Sequence, residues 1–364
     1  MKKITIIFFI LFIFSVPLTT ILLPDKQISY IENKVLEQMP KLSIDDILSK
    51  QFMEDFDTYT TDQFPLRSKF IKLKNYYSYL LGNREFRNIY ISKSNKLLEK
   101  FIFNKAVIDK NIDNISKTAN HIKNNYGIKS KLMIIPTSTA FYEDELYNYM
   151  ITDNQLNAIN YINDSFINKS SSSSFYSPYK ILYENKDKYI FFNTDHHWTQ
   201  LGACLSYEDM YKIKVLDDPV AVSNSFYGTY YSKSILDFIT PDTIYAYKTF
   251  NNYKLTMDFN YTYNYLYDNS KLSTKNKYQY FLHGDPAIGY IEGNEKSTKE
   301  ILILKDSFAH NFIPFLTLNY SKIHFIDTRY YNGSIDDYLS KNTNIDEILF
   351  THNIANFNSN ILYE

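Results

Sequence analysis

The sequence predicts an α/β fold, a parallel sheet with helices on both faces, carrying an aromatic-rich β and loop insertion and preceded by one N-terminal transmembrane helix. Three observations predict it. Short apolar runs at Lys131–Ile135, Glu300–Leu304, Ile323–Ile326 and Ile348–Phe350 have the length and composition of buried strands. Helical patterns lie between strand candidates, and such alternation favours parallel strands covered on both faces. Ahead of them, Ile4 to Leu23 is apolar apart from Thr, Ser and Pro17.

That first segment is long enough to span a membrane, since about 20 apolar residues cross a hydrocarbon core of about 30 Å. Lys2 and Lys3 put its start in the cytoplasm and everything after Asp25 outside. Leu22, Leu23 and Pro24 stand where a cleavage site would need small residues, so residues 1–24 are expected as an uncleaved signal anchor. Residues 25–60 follow as a membrane-proximal stalk, helical around Ser43–Tyr59, and residues 61–364 as the catalytic domain.

Within that domain the spacing of apolar residues predicts an amphipathic helix over Lys69–Leu81, after the Phe64-Pro65-Leu66-Arg67 turn. Ile112–Tyr126 is a helix and Lys131–Ile135 a strand closed by Pro136. Gln155–Ile167 is helical, and the serines Ser170 to Ser174 end it as a solvated loop. Tyr189–Asn193 is a strand candidate that runs into Thr194-Asp195-His196-His197-Trp198-Thr199; Gln200–Val215 resumes helical periodicity, with Thr199 as its N-cap. Residues 217–299 change to short aromatic and polar segments, expected as extended strands and loops inserted into the body. The body returns with Glu300–Leu304, a helix over Phe308–Leu318, and the last two strands.

The chain of 364 residues carries 39 Lys and Arg against 40 Asp and Glu, so no overall field draws it onto nucleic acid. One cysteine, Cys204, excludes an intramolecular disulfide framework and a thiolate-rich metal centre. The 35 Tyr and 27 Phe suit carbohydrate stacking, although a coding bias that enriches Ile, Asn, Lys, Tyr and Phe together explains most of them. The aromatic stretches that remain of interest for a glycan are Phe226–Tyr231 and Tyr245–Tyr280.

Two strand-to-turn junctions hold the residues for chemistry. Ser307 sits between a buried strand and a helix, at the carboxyl end of the sheet where ligands bind in open α/β folds, next to helix amides able to stabilise an oxyanion. On this feature alone a plain helix cap is the favoured explanation of Ser307, and its neighbour Asp306 has the same two readings. At the other junction, Asp195 and His197 can point into one site as orienter and base while His196, in an extended stretch, faces away. A serine nucleophile needs an imidazole base, and the imidazole an acceptor that fixes its tautomer. Asp195, His196 and His197 as ligands of zinc or iron are the competing arrangement, without a clear third-ligand motif, and backbone-bound histidines around a core Trp198 are the structural one. Arg329 follows a strand and either holds a substrate oxygen or pairs with Asp327; His283, in an aromatic loop, either approaches the site or, the favoured reading, is a surface turn residue, and His310 is a polar helix-face residue.

The run Thr194 to Thr199 with Gly202-Ala203 resembles the bacterial DHHW protein family, which is similar to enzymes that O-acetylate alginate and more distantly to SGNH hydrolases. The resemblance extends to Asp62-Gln63-Phe64-Pro65-Leu66-Arg67, Phe226-Tyr227-Gly228-Thr229, Lys305-Asp306-Ser307-Phe308-Ala309, Pro314-Phe315-Leu316 and Asp327-Thr328-Arg329-Tyr330. It implies an SGNH-hydrolase-like, flavodoxin-like sheet and a triad of Ser307, His197 and Asp195, in a chain order permuted from the usual SGNH order. Where a Gly-Gly-Asn element is expected the chain has His283-Gly284-Asp285, so Gly284, Asn353 and the Ser307 N–H are the oxyanion candidates.

The function so implied is an extracytoplasmic, membrane-anchored O-acyltransferase that modifies a cell-envelope or exopolysaccharide glycan without a metal or other cofactor. Activated thioesters are cytoplasmic, so the acyl group, acetyl for instance, would come through a membrane-bound O-acyltransferase-type partner. A glycan esterase and a non-catalytic glycan-binding protein of the envelope are the alternatives.

Overall fold

The computed structural model describes residues 2–258 and 260–363. They form two compact units, residues 1–87 with 231–240 and residues 88–230 with 241–364.

In the first unit, Lys2–Leu22 is one helix. Its large apolar side chains, among them Ile4, Phe9 and Phe14, are exposed. Among the described residues no helix is long and apolar enough to cross a membrane. The anchor expected over residues 1–24 falls partly outside the description, since Met1 and the side chains of residues 2, 3, 8, 12, 16, 17 and 21 are not among the described parts. The helix expected over Ser43–Tyr59 is broken into Ile44–Leu48 and Gln51–Asp62 by Lys50, whose φ of 66° is left-handed. Arg67–Leu80 follows. The Asp62 to Arg67 run ties this unit together: the buried Asp62 carboxylate takes Lys34 Nζ at 2.7 Å and the Glu37 amide at 3.0 Å, and Arg67 grips Glu32 through Nε and Nη2.

The second unit is built on an eight-stranded sheet. Its strands are β1 (Lys129–Ile135), β2 (Ser174–Tyr176), β3 (Lys254–Met257), β4 (Tyr261–Tyr263), β5 (Ile288–Glu292), β6 (Glu300–Lys305), β7 (Lys322–Asp327) and β8 (Ile345–Asn353), in the order β4-β3-β5-β7-β6-β8-β1-β2. Strands β7, β6, β8 and β1 are parallel, as expected, and β2 joins them in parallel where the end of the expected serine loop becomes a strand. The sheet as a whole is mixed, because β5, β3 and β4 from the 217–299 insertion extend its edge antiparallel. Numbered along the chain, the parallel strands stand in the order 2-1-5-3-4, whereas a flavodoxin-like sheet runs 2-1-3-4-5; the last strand has moved to the centre.

Alternation along the strands divides the core. Leu132, Ile134, Leu302, Leu304, Ile348 and Phe350 face the helices Lys105–Tyr126, Gln155–Lys169 and Ile354–Ser359. Met133, Ile135, Ile301, Ile303 and Leu349 face the helix Gln200–Tyr211, the turns after β6 and the insertion's aromatic side chains. Thr199 caps that helix through its Oγ1, as expected. Two expected elements differ. Phe308–Leu318 forms two 3-10 turns, Ser307–Asn311 and Ile313–Leu318, since Pro314 lacks the N–H that a continuous α-helix needs. Tyr189–Asn193 is a turn arm bridged only from Phe191 to Trp198, not a strand of the sheet.

At the carboxyl end of β8, His352 is buried, bonded through Nε2 to Tyr363 Oη at 2.8 Å, with no partner for Nδ1 among the described residues. Burial lowers its pKa to about 4. A base held neutral in this way favours the fold fully above the unfolded value near 6.5, and that contribution is lost as pH falls from there toward 4. Thermal unfolding followed between pH 7.5 and 4 should show a loss of about 2–3 kcal/mol from His352 in that window, and His352→Asn should flatten the curve there.

Candidate active site

The turn that carries the two imidazoles is held from outside by a buried carboxylate. Phe192 N–H donates to the His197 carbonyl and Thr199 N–H to that of Ile190, which closes residues 190–199 on themselves. Asp242 then accepts the Asn193 and Thr194 amides at 2.8 and 2.7 Å, the Thr194 hydroxyl at 2.6 Å and the Tyr189 hydroxyl at 2.6 Å. Burial pushes its pKa up in spite of these donors. Gly202 lets the next helix lie against this turn, because a Cβ there would meet the Ile190 carbonyl at 2.5 Å.

On that turn Asp195 is buried and accepts four hydrogen bonds. Oδ1 takes His197 Nδ1–H at 2.6 Å and the His197 amide at 3.1 Å; Oδ2 takes the Thr229 amide at 2.8 Å and its hydroxyl at 3.2 Å. Burial works against the charge, but the His196 and His197 rings and these donors outweigh it and hold the carboxyl well below the usual carboxylate range. With its Nδ1 proton on Asp195, His197 offers Nε2 to Ser307 Oγ, 2.8 Å away. His197 is buried and Ser307 partly exposed.

The serine turn is fixed as closely. Asp306 caps it, accepting Phe308 N–H through Oδ1 at 2.9 Å and both the backbone and side-chain N–H of Asn353 through Oδ2 at 2.8 and 2.7 Å. Trp198 donates its indole N–H to the Phe308 carbonyl at 2.9 Å, and Asn311 returns a bond to the Trp198 carbonyl at 3.0 Å. Tyr278 lies flat on His197, ring centroids 3.6 Å apart and planes 9° apart, and donates to the Ser307 carbonyl at 3.0 Å.

The structure thus brings Asp195, His197 and Ser307 into one hydrogen-bonded line and places the other candidates differently. His196 does not face away: the turn is bent, and its ring lies 3.8 Å from that of His197, with Nδ1 2.7 Å from Thr229 Oγ1. Arg329 is paired with Asp327, Nε at 2.8 Å and Nη2 at 2.7 Å. Asn353 gives its backbone N–H and one side-chain N–H to Asp306 and takes the Asn356 amide on Oδ1, which leaves one side-chain N–H over. Gly284, with φ of 111°, packs on the Gln279 side chain, and His283 bonds to the Tyr265 carbonyl. His310 is buried rather than on a polar face, taking a hydrogen bond from the buried Lys305 at 2.8 Å, and Lys305 also meets Asp327 at 3.1 Å. Ligand atoms of Asp195, His196 and His197 lie within 4.8 Å of one another, the spacing of a metal site. Both nitrogens of His197 and Nδ1 of His196 are already engaged, so a metal would have to displace the serine or the carboxylate.

Sequence reasoning missed Asp242, Tyr278 and the task of Gly228 and Thr229. Only the last had a signal, in the Phe226-Tyr227-Gly228-Thr229 run. Phe226, Tyr230, Tyr247, Tyr267, Tyr278 and Tyr280 are buried core, not a glycan platform, while Tyr245, Tyr261 and Tyr265 stay exposed. A Cβ at Gly228 would stand 2.2 Å from that of Asp195. Gly228→Ala should therefore destabilise the chain by about 3 kcal/mol and remove the low-field proton resonance of the Asp195–His197 hydrogen bond; an unchanged resonance would contradict this geometry.

No curated protein matches the chain in sequence. Among solved structures, a DHHW family protein from Eubacterium siraeum superposes with a TM-score of 0.61 at 23% identity, covering 73% of this chain and 89% of that one. Bacillus cereus PatB1 follows at 0.60 and 17% identity, covering 76% of this chain and 99% of that one. PatB1 is also known with a sulfonyl adduct, a structure that matches at 0.59 and 17% identity over 76% of this chain and 98% of that one. These likenesses establish the shared fold. The family model described as DHHW protein matches residues 86–326, most of the sheet and both junctions of the site, and the chain belongs to that family.

Proposed function

We propose that the protein is an extracytoplasmic O-acyltransferase that transfers an acyl group, acetyl in the simplest case, to a hydroxyl of a cell-envelope or exopolysaccharide glycan. The observation that carries the reading is the line Asp195 Oδ1, His197 Nδ1 at 2.6 Å, His197 Nε2, Ser307 Oγ at 2.8 Å, one end buried and the serine reachable. Ser307 Oγ attacks the carbonyl carbon of an acyl ester while its proton moves to His197 Nε2. The oxyanion that forms is met by the Ser307 N–H. Collapse breaks the ester bond, and the leaving oxygen takes the proton back from His197. Asp195 stays ionised throughout and stabilises the imidazolium. A sugar hydroxyl then repeats the sequence on the acyl-serine.

The reading places the second unit outside the membrane, takes the apolar helix Lys2–Leu22 of the first unit as the membrane-associated segment of the chain, and has a membrane-bound O-acyltransferase-type protein as the acyl donor. The N-terminal Lys pair and the exposed apolar side chains of that helix support this placement.

The full chain should release p-nitrophenol from p-nitrophenyl acetate, pass acetyl to an added oligosaccharide, and be labelled once by a sulfonyl fluoride. Ser307→Ala should lose the label, and Ser307→Ala and His197→Asn should each lower release at least about a thousandfold without lowering Tm. Release that is insensitive to the oligosaccharide would point to an esterase and sink the transferase reading.

A further inference from the structure

The proposed chemistry uses Asp195, His197 and Ser307 and leaves the other imidazole of the turn without a task. The hydrogen bonds around His196 define its tautomer. Asp195 can only accept, and the Thr229 hydroxyl, 3.2 Å from Asp195 Oδ2, has a single proton. With that proton on the carboxylate, Thr229 Oγ1 accepts from His196 Nδ1–H at 2.7 Å. Asp195 Oδ1, 3.6 Å from the same nitrogen, also favours a proton there. Nε2 is then a lone-pair edge.

The ring is partly accessible. Nε2 has no hydrogen-bond partner among the described residues, and the side chain is 30% exposed against 6% for His197. Burial, with His197 alongside, lowers the His196 pKa to about 4, so the edge stays an acceptor at neutral pH. Phe308 at 6.0 Å and Tyr230 at 6.2 Å flank the ring. Glu99 and Asp306 act on it with negative charge, which disfavours an anion and favours a neutral O–H donor.

We propose that His196 Nε2 accepts a hydrogen bond from an acceptor hydroxyl adjacent to the one that attacks, so that the site selects vicinal diols, as sugars carry, over simple alcohols and water. The inference rests on the acyl-transfer reading. In the transfer step the attacking O–H bonds to the acyl carbon, its proton passes to His197 Nε2, and the bond from that carbon to Ser307 Oγ breaks with the proton returned to the serine. His196 exchanges no proton; it is a positioning residue that holds the neighbouring hydroxyl and so fixes which oxygen faces His197.

The test compares 1,2-propanediol with 1-propanol as acceptors for acetyl from p-nitrophenyl acetate, using the full chain. The wild type should prefer the diol by about fivefold to tenfold, one neutral hydrogen bond's worth. His196→Phe, which keeps the stacked ring, and His196→Asn, which keeps a donor for Thr229, should both bring that preference to about one by raising the diol KM. Release without acceptor should fall less than about threefold in each, a split that mere support of the triad would not give. A diol preference that persists in both variants overturns the proposal, as does loss of release in step with it. Absence of p-nitrophenol release from the wild type would instead defeat the acyl-transfer reading itself. Independently of turnover, nitrogen-15 spectra of the Ser307→Ala chain should show the His196 Nε2 resonance moving as the diol is added, and a static resonance overturns the proposal too.

Discussion

The site depends on keeping one carboxylate ionised out of water. Asp195 is buried, and a lone charge there would cost several kcal/mol. Four donors on two segments of chain remove that cost, and each imposes a constraint. The His197 amide and ring must come from a tight bend, which fixes the ring's tautomer. The Thr229 amide must approach to 2.8 Å, which only a glycine beforehand allows, since any Cβ at Gly228 would occupy the place of Asp195. The bend in turn exists because Asp242 absorbs the Asn193 and Thr194 amides that a turn leaves unpaired. A glycine, a threonine and two carboxylates, spread over residues 195–242, therefore answer to the same electrostatic requirement.

The serine arrives by a different route. Strand β6 runs parallel to β7 and β8 between them, so its end delivers Ser307 at the carboxyl edge of the sheet whatever the insertion does. What aligns it with His197, 110 residues earlier in the chain, is a set of bonds to backbone atoms: the Trp198 indole on the Phe308 carbonyl, Asn311 on the Trp198 carbonyl, and Tyr278 on the Ser307 carbonyl. Backbone atoms move less than side chains, so these bonds set the 2.8 Å approach of His197 to the hydroxyl more firmly than a side-chain pair would. The lone Trp and a tyrosine of the insertion act as rivets between two turns.

Much of this was legible in the sequence, for identifiable reasons. Strands β1, β6, β7 and β8 showed as apolar runs because both faces are covered, whereas the partly exposed β2 did not, and Thr199 capped its helix because a threonine before a periodic segment offers an oxygen to orphan amides. The bend around His196 did not show, since period-two reasoning assumes an extended chain and the amides that hold the bend are claimed by a residue 48 positions away. Asp242 had no local signal at all, lying between ordinary turn residues. The aromatic insertion was misread in purpose: Tyr and Phe fill one face of the sheet, and the expected strands, β3, β4 and β5, lengthen that sheet at its edge. Arg329 and Asn353 were visible as polar residues after strands, but only coordinates show that Arg329 pairs with Asp327 and that Asn353 bonds to Asp306.

The stack of three rings explains why two imidazoles in one turn do not compete for one task. Tyr278 covers one face of His197 at 3.6 Å and His196 adjoins it at 3.8 Å. When His197 takes the serine proton under the proposed chemistry, the tyrosine face favours the new positive charge, whereas a second charge on His196 would meet it at contact distance. Burial first, and the His197 ring beside it second, hold His196 down to a pKa of about 4, and this divides the roles. The ring with a carboxylate on one nitrogen and a serine on the other carries the proton. The ring whose Nδ1–H rests on a threonine remains neutral and has only a lone pair to offer at Nε2, which under the proposal makes it a part that reads the shape of the acceptor without altering the proton path.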